Sequence, residues 1–161
     1  MQQNNSQIKK IQFDNALLIP EIIKFINKGH TVTLRLKGFS MRPFLEDNRD
    51  SALLTKPTDI KVGDAVLAEI SPLRFVLHRI VRIDGNNVTL RGDGNLGDEH
   101  CTLTDIKASV LGFYRKGRTR LDSTKGLKWR TYSFVWMHLF PIRRYLLAAY
   151  RKIWLKFFKP I

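Results

Sequence analysis

The alternation of apolar and polar residues predicts a chain built mostly of short strands. Thr31–Leu36 alternates strictly, as half-buried strands do. Further strands are predicted over 51–55, up to Ile70, and over 75–83, 88–91 and 108–115, with turn residues such as Asp84-Gly85-Asn86-Asn87 between them. Short strands at this spacing, joined by turns, indicate a small β-rich body.

Helical periodicity appears on both sides of this body. Over 15–27 the apolar residues share one face of a predicted helix, and Gly29 follows as a stop signal. Beyond Pro141, which is predicted to separate two helical pieces, the apolar residues again repeat at helical spacing: Ile142, Leu146, Ala149, Ile153 and Phe157. The chain of 161 residues therefore reads as one domain with helical appendages.

These patterns divide the chain into four segments. Residues 1–30 are an N-terminal arm and helix, 31–116 form the β domain, and 117–126 are a polar linker. Residues 127–161 are a basic, aromatic, amphipathic helical tail.

Positive charge is concentrated in the tail. Residues 1–112 carry 15 Lys and Arg against 13 Asp and Glu, whereas residues 113–161 carry 13 Lys and Arg against one acid, Asp122. Such an asymmetry predicts an anionic partner, either nucleic acid or a lipid surface. The aliphatic residues of the tail, including Leu146, Leu147 and Ile153, favour lipid, so an anionic membrane surface is expected and nucleic acid is not. The alternative for the aromatic stripe is a helix packed on the core of the domain itself.

Other totals limit the functional classes. No secretory signal and no stretch of roughly 18 uncharged apolar residues is found, so peripheral membrane association is predicted without a spanning helix. The one cysteine, Cys101, cannot form an internal disulfide. No metal-ligand spacing occurs, so neither a metal nor a cofactor is expected.

Candidate chemistry begins at Ser40, where the first strand gives way to a turn. Gly38 permits an unusual backbone shape there and Pro43 fixes φ. A serine hydroxyl needs a base to act as a nucleophile. His78, inside an otherwise apolar strand, is the candidate base, although position alone also fits a histidine that points to solvent or is satisfied in the core.

Acidic residues follow in a glycine-rich loop. Asp93 and Asp98 lie within Gly92-Asp93-Gly94-Asn95-Leu96-Gly97-Asp98. A carboxylate beside an imidazole fixes its tautomer and stabilises the imidazolium, although an Asp-Gly turn is also common in loops.

Taken in order, these segments resemble the S24/S26 serine peptidase superfamily, which includes type I signal peptidases and LexA-like self-cleaving repressors. The resemblance covers roughly residues 31–115 and rests on Gly38-Phe39-Ser40-Met41-Arg42-Pro43, Gly63-Asp64, His78-Arg79-Ile80, and Gly92-Asp93-Gly94-Asn95 with Asp98. It implies a mostly β fold with a partly open, barrel-like peptidase domain.

The resemblance also implies roles for single residues. His78-Arg79 is similar to the branch that uses histidine as the base, so Ser40 is the expected nucleophile and His78 the general base. Asp98 or Asp93 is the expected acidic partner. Phe39, Met41 and Pro43, which flank Ser40, are expected to bind the substrate, a peptide or protein with a leader or signal segment.

Two alternatives remain open at this point. Gly38 stands where bacterial signal peptidases typically carry a hydroxyl residue, so one oxyanion donor is unassigned. The first alternative is therefore a catalytically inactive binding module that is anchored by its tail. A LexA-like self-cleaving regulator is the other alternative, but no helix-turn-helix stretch precedes residue 31.

Overall fold

The structure, a computed structural model, describes residues 15–161. The predicted arm before Asn15 lies outside these residues. The elements are α1 (Asn15–Asn27), β1 (Val32–Arg35), β2 (Ser51–Thr55), β3 (Ala65–Ser71), β4 (Arg74–Asp84), β5 (Asn87–Arg91), β6 (Glu99–Thr102), β7 (Ile106–Tyr114), β8 (Leu121–Ser123), α2 (Leu127–His138), α3 (Arg143–Ala149) and α4 (Leu155–Phe157).

The strands form one antiparallel sheet with the order β1-β2-β7-β3-β4-β5-β6, and β8 pairs with β7. The strands at the two ends of this path do not pair with each other, so the sheet is not closed into a barrel. The predicted mostly β class is confirmed, as is the N-terminal helix.

Two strands are absent from the sequence prediction. Strand β6 is Glu-His-Cys-Thr, which has no apolar alternation, and it is a strand because it pairs with β5. Strand β8 lies within the segment predicted as a linker and adds three residues to the edge of β7. Both depend on a neighbouring strand rather than on their own pattern.

Two buried clusters hold the sheet together. One contains Ile19, Ile22 and Ile26 of α1, which recur at helical spacing and pack on the sheet together with Leu54 and Val110. The other contains Val66, Ile80 and Leu90, on neighbouring strands β3, β4 and β5. Strand β4 contributes to both clusters, because its alternate side chains point to opposite faces.

The helical tail begins inside the core. Trp129 of α2 is 4% exposed, and its ring centroid lies 5.0 Å from that of Phe44 and 4.8 Å from that of Phe113. Pro141 lies in a short 3-10 turn between α2 and α3, as predicted for a break between two helical pieces. Among residues 15–161, every helix is too short or too polar to traverse a bilayer.

The end of the chain returns to the β body. After α3, a π-helical turn over Tyr150–Trp154 leads into α4. The Arg49 guanidinium then donates to the carbonyl oxygens of Pro160 at 3.1 Å and Ile161 at 2.9 Å. The same guanidinium binds the fully buried carboxylate of Asp50, which connects the tail to the start of β2.

Candidate active site

Ser40 lies in the turn between β1 and β2. Gly38 adopts a φ of +87°, which only glycine takes without strain, and its N–H donates to Asp47 Oδ1 at 2.6 Å. A tight turn follows, in which the Arg42 N–H donates to the Phe39 carbonyl oxygen at 3.1 Å. The local sequence thereby fixes the backbone on both sides of the predicted nucleophile.

His78 is a buried residue of β4, with 3% of its surface exposed. It lies on the same face of the strand as Ile80, two residues along, while Arg79 points to the opposite face. The strand therefore directs His78 and Arg79 into two different environments, and they have different partners.

Gly92, which follows β5, lies between Ser40 and His78. A Cβ atom at this position would lie 2.4 Å from the Ser40 carbonyl oxygen and 3.0 Å from His78 Nε2. The next glycine, Gly94, donates its N–H to the same Ser40 carbonyl at 2.7 Å. The glycine-rich loop thus packs closely against the Ser40 backbone, beside the His78 ring. The fold therefore brings both of these predicted site residues next to Gly92.

The carboxylate beside His78 belongs to Glu99. His78 Nδ1 lies 2.5 Å from Glu99 Oε2. Neither of these two buried atoms makes a hydrogen bond with any other group in the part of the chain that the structure describes. The contact fixes Nδ1 as the nitrogen that faces the acid and leaves Nε2 facing Gly92.

Strand register explains why Glu99 reaches His78. Ile80 pairs with Leu90 across β4 and β5, and Leu90 pairs with Glu99 across β5 and β6. Residues paired directly across strands lie on the same face of a sheet, and His78 shares the face of Ile80. Glu99 was missed because β6 carries no strand pattern, and this register cannot be read without β6.

Burial controls the protonation of His78. Desolvation lowers the pKa of His78 below its ordinary value of 6.5, and the Glu99 carboxylate raises that pKa in part. The neutral imidazole is therefore favoured near neutral pH. With Nδ1–H directed to Glu99, the neutral ring presents Nε2 as a proton acceptor.

Asp93 has other partners than His78. Its carboxylate accepts two hydrogen bonds from the Arg79 guanidinium, at 2.9 and 2.7 Å, and one from the Tyr132 hydroxyl at 3.0 Å. Its backbone carbonyl accepts a further bond from Trp136 Nε1 at 3.0 Å. Asp93 and Arg79 are each 1% exposed, so this ion pair joins β4 to the loop after β5 inside the core, and the bonds from Tyr132 and Trp136 join that loop to helix α2.

Asp98 is also paired with an arginine. Arg91 holds its carboxylate through both Nε and Nη2, the latter at 2.8 Å, and this pair lowers the pKa of Asp98. The structure therefore corrects the predicted acidic partner. Glu99 contacts His78, whereas the carboxylates of Asp93 and Asp98 are engaged by Arg79 and Arg91.

The predicted substrate-binding residues differ in exposure. Phe39 is 55% exposed, and the Arg42 guanidinium lies over its ring. Met41 is buried and Pro43 is half-buried. A small cavity of about 50 Å³ is lined by residues that include Gly38, Ser40, Met41 and Leu77. Of the three predicted residues, Met41 alone lines this cavity, which has room for a small side chain only.

No protein-family model matches the chain, and a comparison with curated proteins finds no match. Among residues 15–161, no group of three or more His, Cys, Asp and Glu residues is arranged to hold a metal ion. A functional interpretation of the site therefore rests on its residues and their geometry.

Proposed function

We propose that the protein is a serine endopeptidase in which Ser40 is the nucleophile and His78 the general base. The observation that carries this proposal is the convergence of the Ser40 backbone carbonyl and His78 Nε2 on Gly92, with the Glu99 carboxylate against Nδ1. A serine, an imidazole and an orienting acid are the components that activate a hydroxyl for acyl transfer.

The reaction proceeds in two stages. Ser40 Oγ attacks the carbonyl carbon of the scissile peptide bond while His78 Nε2 accepts the hydroxyl proton. The tetrahedral intermediate collapses, the C–N bond breaks, and His78 returns the proton to the leaving amine. Water then attacks the acyl-enzyme ester with His78 again as the base, and Ser40 recovers its proton as the carboxylic acid product leaves.

Glu99 has the orienting role in this mechanism. Its carboxylate holds the Nδ1–H tautomer and stabilises the imidazolium that forms during each proton transfer. The Ser40 backbone N–H is the proposed oxyanion donor, and Gly38, without a side chain, contributes no second one.

The proposed substrate is a leader or signal segment, on the basis of the resemblance to the S24/S26 peptidases. We propose correspondingly that the open sheet is the partly open, barrel-like fold of that superfamily. The small cavity beside Ser40 supports a preference for a small side chain near the cleaved bond. Exposed Phe39 supports contact with an apolar stretch of substrate.

We further propose that the distal part of the tail contacts an anionic membrane surface. Large apolar side chains in this region are well exposed, namely Ile142, Tyr145, Ile153, Trp154, Phe157 and Phe158. Exposed basic residues are interleaved with them, including Arg144, Arg151, Lys152, Lys156 and Lys159. Aromatic and basic residues in such a mixture suit the boundary between lipid headgroups and acyl chains.

The activity is tested with a serine-reactive fluorophosphonate probe and a mixture of quenched fluorogenic peptides. The wild-type chain is expected to be labelled at Ser40 and to hydrolyse peptides. Ser40→Ala abolishes both, and His78→Ala lowers both by at least about 10²-fold, because the hydroxyl loses its base. Ser71→Ala, at an exposed serine of β3, is the matched control and retains both activities.

Two other results would contradict this proposal, and only the second would favour the binding-module alternative. Labelling and hydrolysis that persist undiminished in Ser40→Ala or His78→Ala exclude these residues as nucleophile and base. The absence of both activities in the wild-type chain contradicts the peptidase proposal itself.

A further inference from the structure

A second cavity, which we call the arginine pocket, lies between the sheet and the helical tail. It has a volume of about 410 Å³ and is lined by residues from β4, β5, β6, α2 and α3. Its charged and titratable lining residues are Arg82, Arg91, Asp98, His100 and Arg143. Three guanidinium groups and one imidazole therefore surround a space that contains a single carboxylate.

Arg143 is the unusual member of this set. It is 1% exposed, yet no ion pair with a carboxylate is found for it among residues 15–161. Its Nη2 donates to the Trp136 carbonyl oxygen at 2.7 Å, while its buried Nε has no hydrogen-bond partner in the same residues. A buried guanidinium without a counter-charge is costly, because desolvation disfavours the charged form.

The nearby carboxylates are already occupied. Asp98 is held by both Nε and Nη2 of Arg91. Asp93 attracts Arg143 from further away, but its oxygens are bound by Arg79 and Tyr132. Burial accordingly lowers the pKa of Arg143 despite the attraction of Asp93. The positive charge of Arg143 remains uncompensated within the described residues.

Phe140 holds two like charges close together. The Arg91 guanidinium lies 3.6 Å from the centroid of the Phe140 ring, and that of Arg143 lies 5.3 Å from it. Two guanidinium groups on one ring repel each other, and Asp98 compensates the charge of Arg91 only. Arg82, whose guanidinium also donates to exposed Asp84 at 3.0 Å, and His100 line the exposed rim of the same cavity.

We propose that the arginine pocket binds a phosphate group, supplied either by free phosphate or by a lipid headgroup. A guanidinium presents forked N–H donors that match phosphate oxygens, and the negative charge of the phosphate compensates the positive charge of Arg143. The cavity is larger than a phosphate ion, which leaves room for the remainder of a headgroup. This proposal does not depend on the proposed peptidase activity.

Thermal unfolding of the full chain tests the site with inorganic phosphate as the probe. At matched ionic strength, replacing chloride with phosphate is expected to raise the Tm of the wild-type protein by about 2–4 °C, because a ligand that binds only the folded state stabilises it. Arg143→Met should lose this rise. Arg118→Met is the matched control, since Arg118 is exposed and lies outside both the pocket and the helical tail, and it should keep the rise.

Binding to vesicles distinguishes the two sources of phosphate. If a headgroup occupies the pocket, vesicles of phosphatidylcholine with a minority of phosphatidic acid should retain Arg143→Met less than Arg118→Met. Both variants lose one positive charge, so a difference between them reports on the pocket and not on net charge. Equal retention together with the Tm rise assigns the pocket to free phosphate. If vesicles retain Arg143→Met less and phosphate does not raise the Tm of the wild-type protein, the pocket is assigned to a lipid headgroup.

The proposal is overturned if phosphate leaves the wild-type Tm unchanged and the two variants bind vesicles equally. It is also overturned if Arg143→Met shows the same Tm rise as the wild type and the two variants are retained equally by vesicles. Should Arg143→Met not fold, Arg82→Ser provides a second test at an exposed rim residue. That variant is expected to lose at least half of whichever phosphate or vesicle response the wild type shows, and an undiminished response contradicts the proposal.

Discussion

The contact between His78 and Glu99 is the most informative one at the scale of single residues. Three acidic residues, Asp93, Asp98 and Glu99, lie within a short stretch of sequence, and each has a different partner in the fold. Asp93 stabilises a buried arginine, and Asp98 pairs with Arg91 in the arginine pocket. Of the three, Glu99 alone contacts the imidazole. Substitutions of the three carboxylates are therefore expected to affect activity differently.

Glu99→Gln is expected to reduce peptide hydrolysis by about 10²-fold or more, because the amide neither fixes the required tautomer nor stabilises the imidazolium. Asp98→Asn is expected to change the rate by less than about threefold, within the range of indirect effects. Rates of hydrolysis of the fluorogenic peptides, measured for both variants, check this assignment. The reverse order of effects would restore Asp98 as the acidic partner.

The lowered pKa of His78 predicts the pH dependence of the activity. A general base must be neutral, so the rate should stay level as the pH falls to about 6.5 and decline only below that value. Glu99 raises the pKa of His78 in part. In Glu99→Gln the acid limb of the residual activity should therefore move to lower pH. A limb that moves to higher pH contradicts the assigned roles.

Protonation of His78 also affects the stability of the folded state. The unfolded chain binds a proton at His78 near pH 6.5, before the folded chain does, so acidification favours unfolding. The contribution of neutral His78 to stability is present above pH 6.5 and is lost as the pH falls towards the lowered pKa of the folded state.

At the scale of elements, the loop after β5 connects the candidate site to the helical tail. Gly92 and Gly94 receive the Ser40 backbone, and Asp93 between them points the other way to bind Arg79 and Tyr132. Helix α2 therefore holds the loop on the side opposite Ser40, through the bonds from Tyr132 and Trp136 to Asp93. Removal of the whole segment after residue 126 would remove the buried Trp129 together with any membrane contact, so point substitutions are the better test of the tail.

Gly92→Ala is expected to lower the rate of Ser40 labelling by at least about 10²-fold, because even a displacement of roughly 1 Å disrupts a catalytic arrangement. The added Cβ would lie 2.4 Å from the Ser40 carbonyl oxygen and 3.0 Å from His78 Nε2. Gly97→Ala, in the same loop, has no atom within 4 Å of the added Cβ and should be labelled like the wild type. Equal labelling of the two variants would argue against this geometry.

At the scale of the whole molecule, charge and exposed apolar surface occur together in the tail. The chain has a formal net charge of +14, almost all of it beyond residue 112. In the first half of the tail Trp129, Tyr132 and Trp136 pack internally, whereas Phe157 and Phe158 near the end are 70% and 60% exposed. A surface of this kind supports the proposed contact with an anionic bilayer.

The membrane proposal predicts retention of the full chain by vesicles that contain phosphatidylglycerol, and loss of retention in neutral phosphatidylcholine vesicles. Replacing both Phe157 and Phe158 with Ser should weaken retention by about tenfold or more, because two exposed aromatic side chains no longer enter the interface. Phe25→Ser, at an exposed phenylalanine of α1, is the matched control and should be retained fully. Retention that is equal for all three proteins would exclude this surface as the contact.

The sequence by itself determined the features that depend on local pattern. Alternation, turn residues and helical spacing predicted α1, most strands and the break at Pro141, because these depend on neighbours within a few residues. The order of motifs also selected Ser40 and His78, and the fold brings them to the same glycine.

Only the tertiary structure decided which side chains pair across the sheet. Strand β6 carries no pattern of its own, so the register that brings Glu99 to His78 exists only after β5 has paired with it. Helix α2 reads as part of a uniform basic and aromatic tail, yet Trp129 and Trp136 are buried because the sheet and the loop after β5 offer them partners. Contacts between distant segments carry no local signature, which is why the acid beside His78 and the arginine pocket emerged from the fold.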